Sequence, residues 1–266
     1  MHPFRYHRPG TLADALALFA AAADARYLAG GQTLIPTMRQ RLASPSDLID
    51  IAHIAELKGI SATDAVVSIG AAATHGDIAG ADAVVRAIPA LATLAGRIGD
   101  PAVRALGTLG GSLANNDPAA DYPAAMLALG ATLLTDRRAI AAERFFTGLF
   151  ATALDAGEIV TGVDIPVPAK AAYRKFANPA SRYAMAGVFV AVMRDGAIRV
   201  GVTGAGAGGV FRAAAIEEAL TRSWDPASVE AVAVDADGML SDIHGSAAYR
   251  AHLVKVMAKR AVAAAG

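Results

Sequence analysis

Residues 107–125 read GTLGGSLANNDPAADYPAA. Two adjacent glycines, two adjacent asparagines, two aspartates and two prolines stand here between apolar flanks. Gly110 and Gly111 lack a Cβ, so the backbone there is free to take φ > 0 and to approach a ligand closely. Thr108, Ser112, Asn115 and Asn116 add short side chains that donate and accept hydrogen bonds without filling the space. Asp117-Pro118 reads as a turn, and Pro123 opens a helix over residues 124–129. Such a loop can hold phosphates on backbone N–H groups and hydroxyls rather than on lysines. A glycine-rich connector without a ligand fits the same residues, because glycine motifs alone are unspecific.

Working back toward the N-terminus, residues 98–106 lead into this stretch and residues 83–95 have a helical pattern. Thr74 is placed to cap a helix starting at His75, after a strand at 66–71. A second glycine pair lies further back, in 29-AGGQTLIP-36. It follows a short strand at 26–29 and precedes a short helix ending near Ser44-Pro45, with another strand at 48–51. A strand that enters Gly-Gly and then polar residues suits a phosphate-wrapping turn. Nearer the start, Arg5 and Arg8 precede an alanine-rich run at 12–23, which superficially resembles a signal peptide. Asp14 interrupts that run, and Thr11-x-x-Asp14 reads as a helix cap. Leu12, Ala15, Leu16 and Phe19 then keep helical spacing, as in an amphipathic helix of a cytoplasmic protein.

Toward the C-terminus, residues 124–134 read as a helix passing into a strand. Residues 144–148 form a loop with two aromatics. A strand at 158–165 is closed by Pro166 and Pro168, which sets a boundary near 168. Beyond it lie strands at 173–176 and 186–193. Asp195-Gly196 is a type I′ hairpin signal leading into a strand at 198–203. Helical patterns follow at 213–221, 226–234 and 246–264, so this third of the chain is an antiparallel sheet backed by helices. Gly204, Gly206 and Gly209 satisfy G-x-G-x-x-G. That dinucleotide fingerprint needs the first strand of a parallel βαβ unit. Here the preceding strand is the second arm of a hairpin, and the glycines read as a connector.

The 266 residues carry 24 basic and 24 acidic side chains, hence no formal net charge, and no basic block that would argue for nucleic acid. No apolar run reaches membrane-spanning length. With 55% hydrophobic and 18% charged residues, much of the surface is expected to lie under partner chains. The absence of cysteine excludes disulfides, iron–sulfur clusters and thiolate metal sites in this chain. Redox chemistry would then rest on a bound organic cofactor, or on a metal held by N and O ligands. The six histidines show no metal-ligand spacing, and His75 reads as a helix-start or core residue.

Taken together, the two glycine motifs resemble the flavin subunit of molybdenum hydroxylases, nearest to the medium subunit of aerobic carbon monoxide dehydrogenase and its paralogues. The likeness runs over the whole chain. It includes the FRYHRP opening, Glu158-Ile159-Val160, Ser181-Arg182-Tyr183-Ala184 and the SDIHGSAAYR tail. It implies an α+β fold in which two α/β subdomains clamp an FAD and a C-terminal sheet-and-helix domain covers one side. The corresponding ranges are 1–55, 56–168 and 169–266. The two glycine turns would wrap the pyrophosphate and ribityl region through Ala29, Gly30, Gly31, Gln32, Thr33 and Leu34 on one side. Thr108, Gly110, Gly111, Ser112 and Asn115 would do so on the other. Asp121 matches an aspartate that bonds ribityl or ribose hydroxyls. Ile98 and Val160 match apolar positions beside the adenine and the ring system, and Tyr183 an aromatic near the isoalloxazine.

The resemblance further implies an electron-transfer subunit without catalytic or metal-binding residues of its own. Its partners would be a large molybdenum-cofactor subunit and a small iron–sulfur subunit, in a dimer of heterotrimers. Two departures stand out: Gln32 and Thr33 replace a common His-Ser, and Ala177 stands where a lysine is common. A stand-alone flavin oxidoreductase would need a proton donor beside the ring, for which no residue stands out. A cofactor-less assembly protein would have no use for the retained glycine pairs and Asp121.

Overall fold

A computed structural model describes residues 1–265. Among these residues the strands form three larger sheets and one small hairpin, each larger sheet drawn from its own stretch of chain. The first holds β1 (Arg5–His7), β2 (Ala25–Leu28) and β3 (Asp47–Asp50) in the order β1-β3-β2, with both pairings parallel. The crossovers carry α1 (Leu12–Ala21) and α2 (Leu34–Arg39). The Thr11 hydroxyl accepts from the Asp14 amide at 3.1 Å, so the cap read from sequence starts α1. Ala15 is buried in that helix, and Leu12, Leu16 and Phe19 pack on the small core around Ile49 and Ile54.

The second sheet takes β4 (Ile60–Ala62), β5 (Val66–Gly70), β6 (Thr132–Thr135), β7 (Ala139–Ala141) and, after the hairpin β8 (Phe146–Gly148)–β9 (Ala151–Thr152), β10 (Val160–Pro166). Its order is β4-β5-β10-β6-β7, all antiparallel. Between β5 and β6 run α3 (His75–Gly80), α4 (Asp82–Ala87), α5 (Pro89–Gly96), α6 (Pro101–Leu106), α7 (Leu109–Asn115) and α8 (Tyr122–Leu129), and α9 (Ala142–Phe145) follows β7. The helical pattern at 83–95 is thus two helices. Pro89 starts the second and drives Ile88 out of helical geometry, to ψ 72°. Thr74 and Asp77 form a complete capping box on α3.

The third sheet orders β11 (Lys170–Ala177), β12 (Ala184–Val192), β13 (Ile198–Thr203) and β14 (Phe211–Arg212) as an antiparallel meander. Almost every residue of β12 is buried, because one face of the sheet packs on α8 and α5 while α12 (Ala247–Ala264) covers the other. Between them α10 (Ala214–Arg222) and α11 (Pro226–Glu230) complete the layer; α11 ends four residues earlier than its sequence pattern.

Two further local expectations are corrected. Gly110 and Gly111 lie inside α7, and neither has positive φ. The Thr108 hydroxyl accepts from the Gly111 amide at 3.2 Å, and this cap makes a helix of the expected loop. The β12–β13 turn spans Arg194, Asp195 and Gly196, and only Gly196 has positive φ (85°). It is a three-residue turn with a left-handed glycine, since type I′ would need φ > 0 at both central positions.

Candidate cofactor-binding site

The two glycine turns touch. A Cβ placed on Gly30 would overlap the Leu106 carbonyl oxygen and lie 2.6 Å from the Gly107 Cα. One on Gly111 would stand 3.8 Å from the Ala29 Cβ. The second turn is held by the strand end beneath it. Leu109 N–H donates to the Ala73 carbonyl at 3.0 Å and Gly110 N–H to Ala71 at 2.8 Å. A Cβ on Gly110 would come within 2.6 Å of the Ala71 side chain. These glycines serve close backbone approach; only Gly31, at φ 68°, needs the left-handed region.

Between the turns opens a cleft of about 1030 Å³. Each of the fifteen residues singled out from sequence lines it. Ala29 through Leu34 form one side; Thr108, Gly110, Gly111, Ser112 and Asn115 form the other; Asp121, Ile98, Val160 and Tyr183 complete the walls. Sequence reading missed several further lining residues, among them His75, Gly107, Leu154, Glu158 and Ile159. Gly107 and Glu158 stood within the quoted motifs, whereas nothing in the pattern marked Leu154.

The donor set fits an anionic dinucleotide. Among the described residues, the four consecutive amides of Gly30, Gly31, Gln32 and Thr33 donate to no protein acceptor. The Thr33 and Ser112 hydroxyls and the Asn115 amide likewise have no protein partner. Unpaired polar groups along one cleft call for water or a polar ligand. No lysine lines the cleft, and its one arginine, Arg26, is paired with Asp24 at 2.8 Å, so a diphosphate here would rest on amides and hydroxyls. Apolar walls from Ile98, Val103, Leu154, Ile159 and Val160 suit flat rings.

The charged and titratable groups are fixed. Glu158 accepts two bonds from the Arg138 guanidinium, at 3.0 and 2.8 Å, one from the Thr135 hydroxyl at 2.7 Å and one from the Asp155 amide at 2.8 Å. The Arg138 bonds lead in pulling its carboxyl down to about 2. His75 is buried against Tyr122, with ring centroids 5.4 Å apart, and its Nδ1 has no partner. Burial, with Arg104 nearby, lowers it to about 4, so the ring is neutral at pH 7. Asp121 sits at the start of α8, but its side chain caps no amide; it accepts from Tyr173 and Lys175 instead. Tyr183 accepts from the Asn178 side chain at 3.0 Å and meets His244 edge-on at 6.0 Å. Ala177, the lysine departure, falls at the bulge ending β11. The G-x-G-x-x-G glycines lie outside the cleft: Gly204 leaves β13 at φ 79°, and its Cβ would overlap the Ala184 carbonyl.

Known proteins resemble this chain over nearly its whole length. Residues 2–168 match the family described as FAD binding domain in molybdopterin dehydrogenase. The chain is 37% identical to the carbon monoxide dehydrogenase medium chain of Afipia carboxidovorans, over 97% of this chain and 95% of that one. It is 36% identical to the nicotine 6-hydroxylase medium subunit of Paenarthrobacter nicotinovorans, over 98% and 97%. A chain in the crystal structure of quinoline 2-oxidoreductase from Pseudomonas putida 86 superposes with a TM-score of 0.91 at 32% identity, covering 100% of this chain and 98% of that one. Cleft, unpaired amides and relatives converge: the chain belongs to the family of FAD-binding medium subunits of carbon monoxide dehydrogenase-like molybdenum hydroxylases.

Proposed function

We propose that the chain is the flavin-bearing electron-transfer subunit of a cytoplasmic molybdenum hydroxylase complex. An FAD bound here would supply the redox chemistry for carrying electrons from the iron–sulfur clusters of a small partner to an external acceptor, substrate being oxidised in a large molybdenum-cofactor partner. The protein's own task is to bind and orient that group. The amides of residues 30–33, with Ser112 and Asn115, would hold the diphosphate and ribityl hydroxyls. Ile98 would bear on the adenine side, and Val160 and Tyr183 on the isoalloxazine side. Neutral His75 and the tightly paired Glu158 add no free charge to the walls.

The observation that carries this reading is the contact between the two glycine turns, which puts seven unpaired donor and acceptor groups on one cleft. The absence of cysteine agrees with clusters housed in another chain. Relatives named as medium chains or medium subunits support a multi-subunit assembly, for which we expect a dimer of heterotrimers. Purification of the tagged chain from its native source tests the reading. Two co-purifying chains carrying molybdenum and iron–sulfur absorbance are expected, and a flavoprotein that purifies alone and oxidises substrate unaided would refute it.

A further inference from the structure

Two side chains that do not line the cleft grip one that does. Tyr173 and Lys175 alternate along β11 and so project from one face, toward the start of α8. The Tyr173 hydroxyl donates to Asp121 Oδ1 at 2.5 Å. Lys175 Nζ lies 2.9 Å from Oδ1 and donates to Oδ2 at 3.1 Å. Sheet register makes room for this. Lys175 faces Gly187 of β12, where a Cβ would overlap the Tyr173 hydroxyl and lie 2.9 Å from Thr203 Cγ2. Thr203 in turn donates to the Ala120 and Pro118 carbonyls at 2.6 and 3.1 Å, fixing the backbone just before Asp121.

Only 4% of the Lys175 side chain and 5% of the Asp121 side chain are exposed, yet Asp121 remains part of the cleft wall. A charge pair so far from water persists only when its partners are complete. Burial raises the Asp121 carboxyl above its ordinary value, and Lys175 leads the groups that oppose the rise, followed by Tyr173 and by Arg97, just after α5; Tyr122, next on α8, is the other titratable neighbour.

We propose that Lys175, assisted by Tyr173, is a positioning residue for the cofactor: it fills the inner side of the Asp121 carboxylate and keeps it an anionic acceptor whose remaining lone pairs meet a ribityl or ribose hydroxyl. The inference rests on the FAD reading of the cleft. A charged acceptor makes about twice as strong a hydrogen bond as a neutral one. Without the ammonium, burial favours the protonated acid, and closing the cleft over an unpaired carboxylate is costly. The C-terminal sheet thereby takes part in a site whose glycine turns belong to the other two.

The test is titration of the flavin-free full chain with FAD from pH 6 to 8, beside the melting temperature of each flavin-free variant. The wild-type Kd is expected to stay flat. For Lys175→Met, binding is expected to be weaker at pH 6 and weaker again, by about tenfold, at pH 8. Lys175→Arg should restore the flat profile. The Asp121→Asn/Lys175→Met double variant should be flat too, and should bind no worse than Asp121→Asn alone. A Lys175→Met chain with the wild-type Kd, or with the same loss at every pH, overturns the proposal. Should that variant not fold, Tyr173→Phe decides: a several-fold weaker Kd supports the assignment and an unchanged one refutes it. A folded wild-type chain that binds no FAD is a different outcome, which removes the cofactor reading itself.

Discussion

At the scale of single residues, the cleft is shaped by what is missing and by charges that are already matched. Gly30 has no room for a methyl group against Leu106 and Gly107. Gly30→Ala should cost about 2 kcal/mol in overpacking and push the two turns apart; calorimetry and FAD titration read both effects. A paired carboxylate and a buried neutral imidazole make the fold acid-labile in two windows. Glu158 is depressed to about 2 in the folded chain, so its stabilisation is full above the ordinary carboxyl range and disappears as pH falls through that range toward 2. His75 is depressed to about 4, so the folded state resists its protonation, and stability is lost as pH falls from about 6.5 toward 4. Melting temperature against pH should show both declines. His75→Gln should remove the upper one and Glu158→Gln the lower.

At the scale of elements, Asn116 shows how a residue of the central motif reaches beyond the cleft. It ends α7 in the left-handed region at φ 43°, and its side-chain amide donates to the Gly148 and Ala151 carbonyls at 2.9 and 2.8 Å. These bonds clamp the β8–β9 hairpin, whose Phe150 also has positive φ (53°). Asn116→Ala should cost about 2 kcal/mol through two orphaned carbonyls, and amide exchange should rise first in that hairpin. The caps at Thr11 and Thr74 were legible because a hydroxyl and the following turn are local. The two turns that line the cleft stood out as glycine motifs for the same reason, whereas Ile98, Val160 and Tyr183 came only from the family resemblance. Three further signals were as local and yet read otherwise. Thr108 capping made a helix of the apparent Gly110-Gly111 loop, Pro89 split the run at 83–95, and a left-handed Gly196 closed a three-residue turn. Lys175 had no local mark; only the register against Gly187 brings it to Asp121.

At the scale of the whole molecule, the cleft draws its walls from the regions of all three larger sheets, and the docking of the third is as tight as the contact of the turns. A Cβ on Gly201 of β13 would overlap the Ala124 carbonyl of α8 and lie 2.8 Å from its carbon. Gly201→Ala should therefore lift the C-terminal sheet from α8 and lower stability by about 2 kcal/mol. Denaturant unfolding should show that loss, with FAD affinity falling as Tyr183 and Asp121 shift. Among the described residues no helix is long and apolar enough to cross a membrane. The most direct test of the account is titration of the folded, flavin-free chain with FAD, read from the visible spectrum of bound flavin. One FAD per chain, with Gly30→Ala sharply weakening it, is the expected result; a folded chain that binds none, or one indifferent to Gly30→Ala, would contradict it.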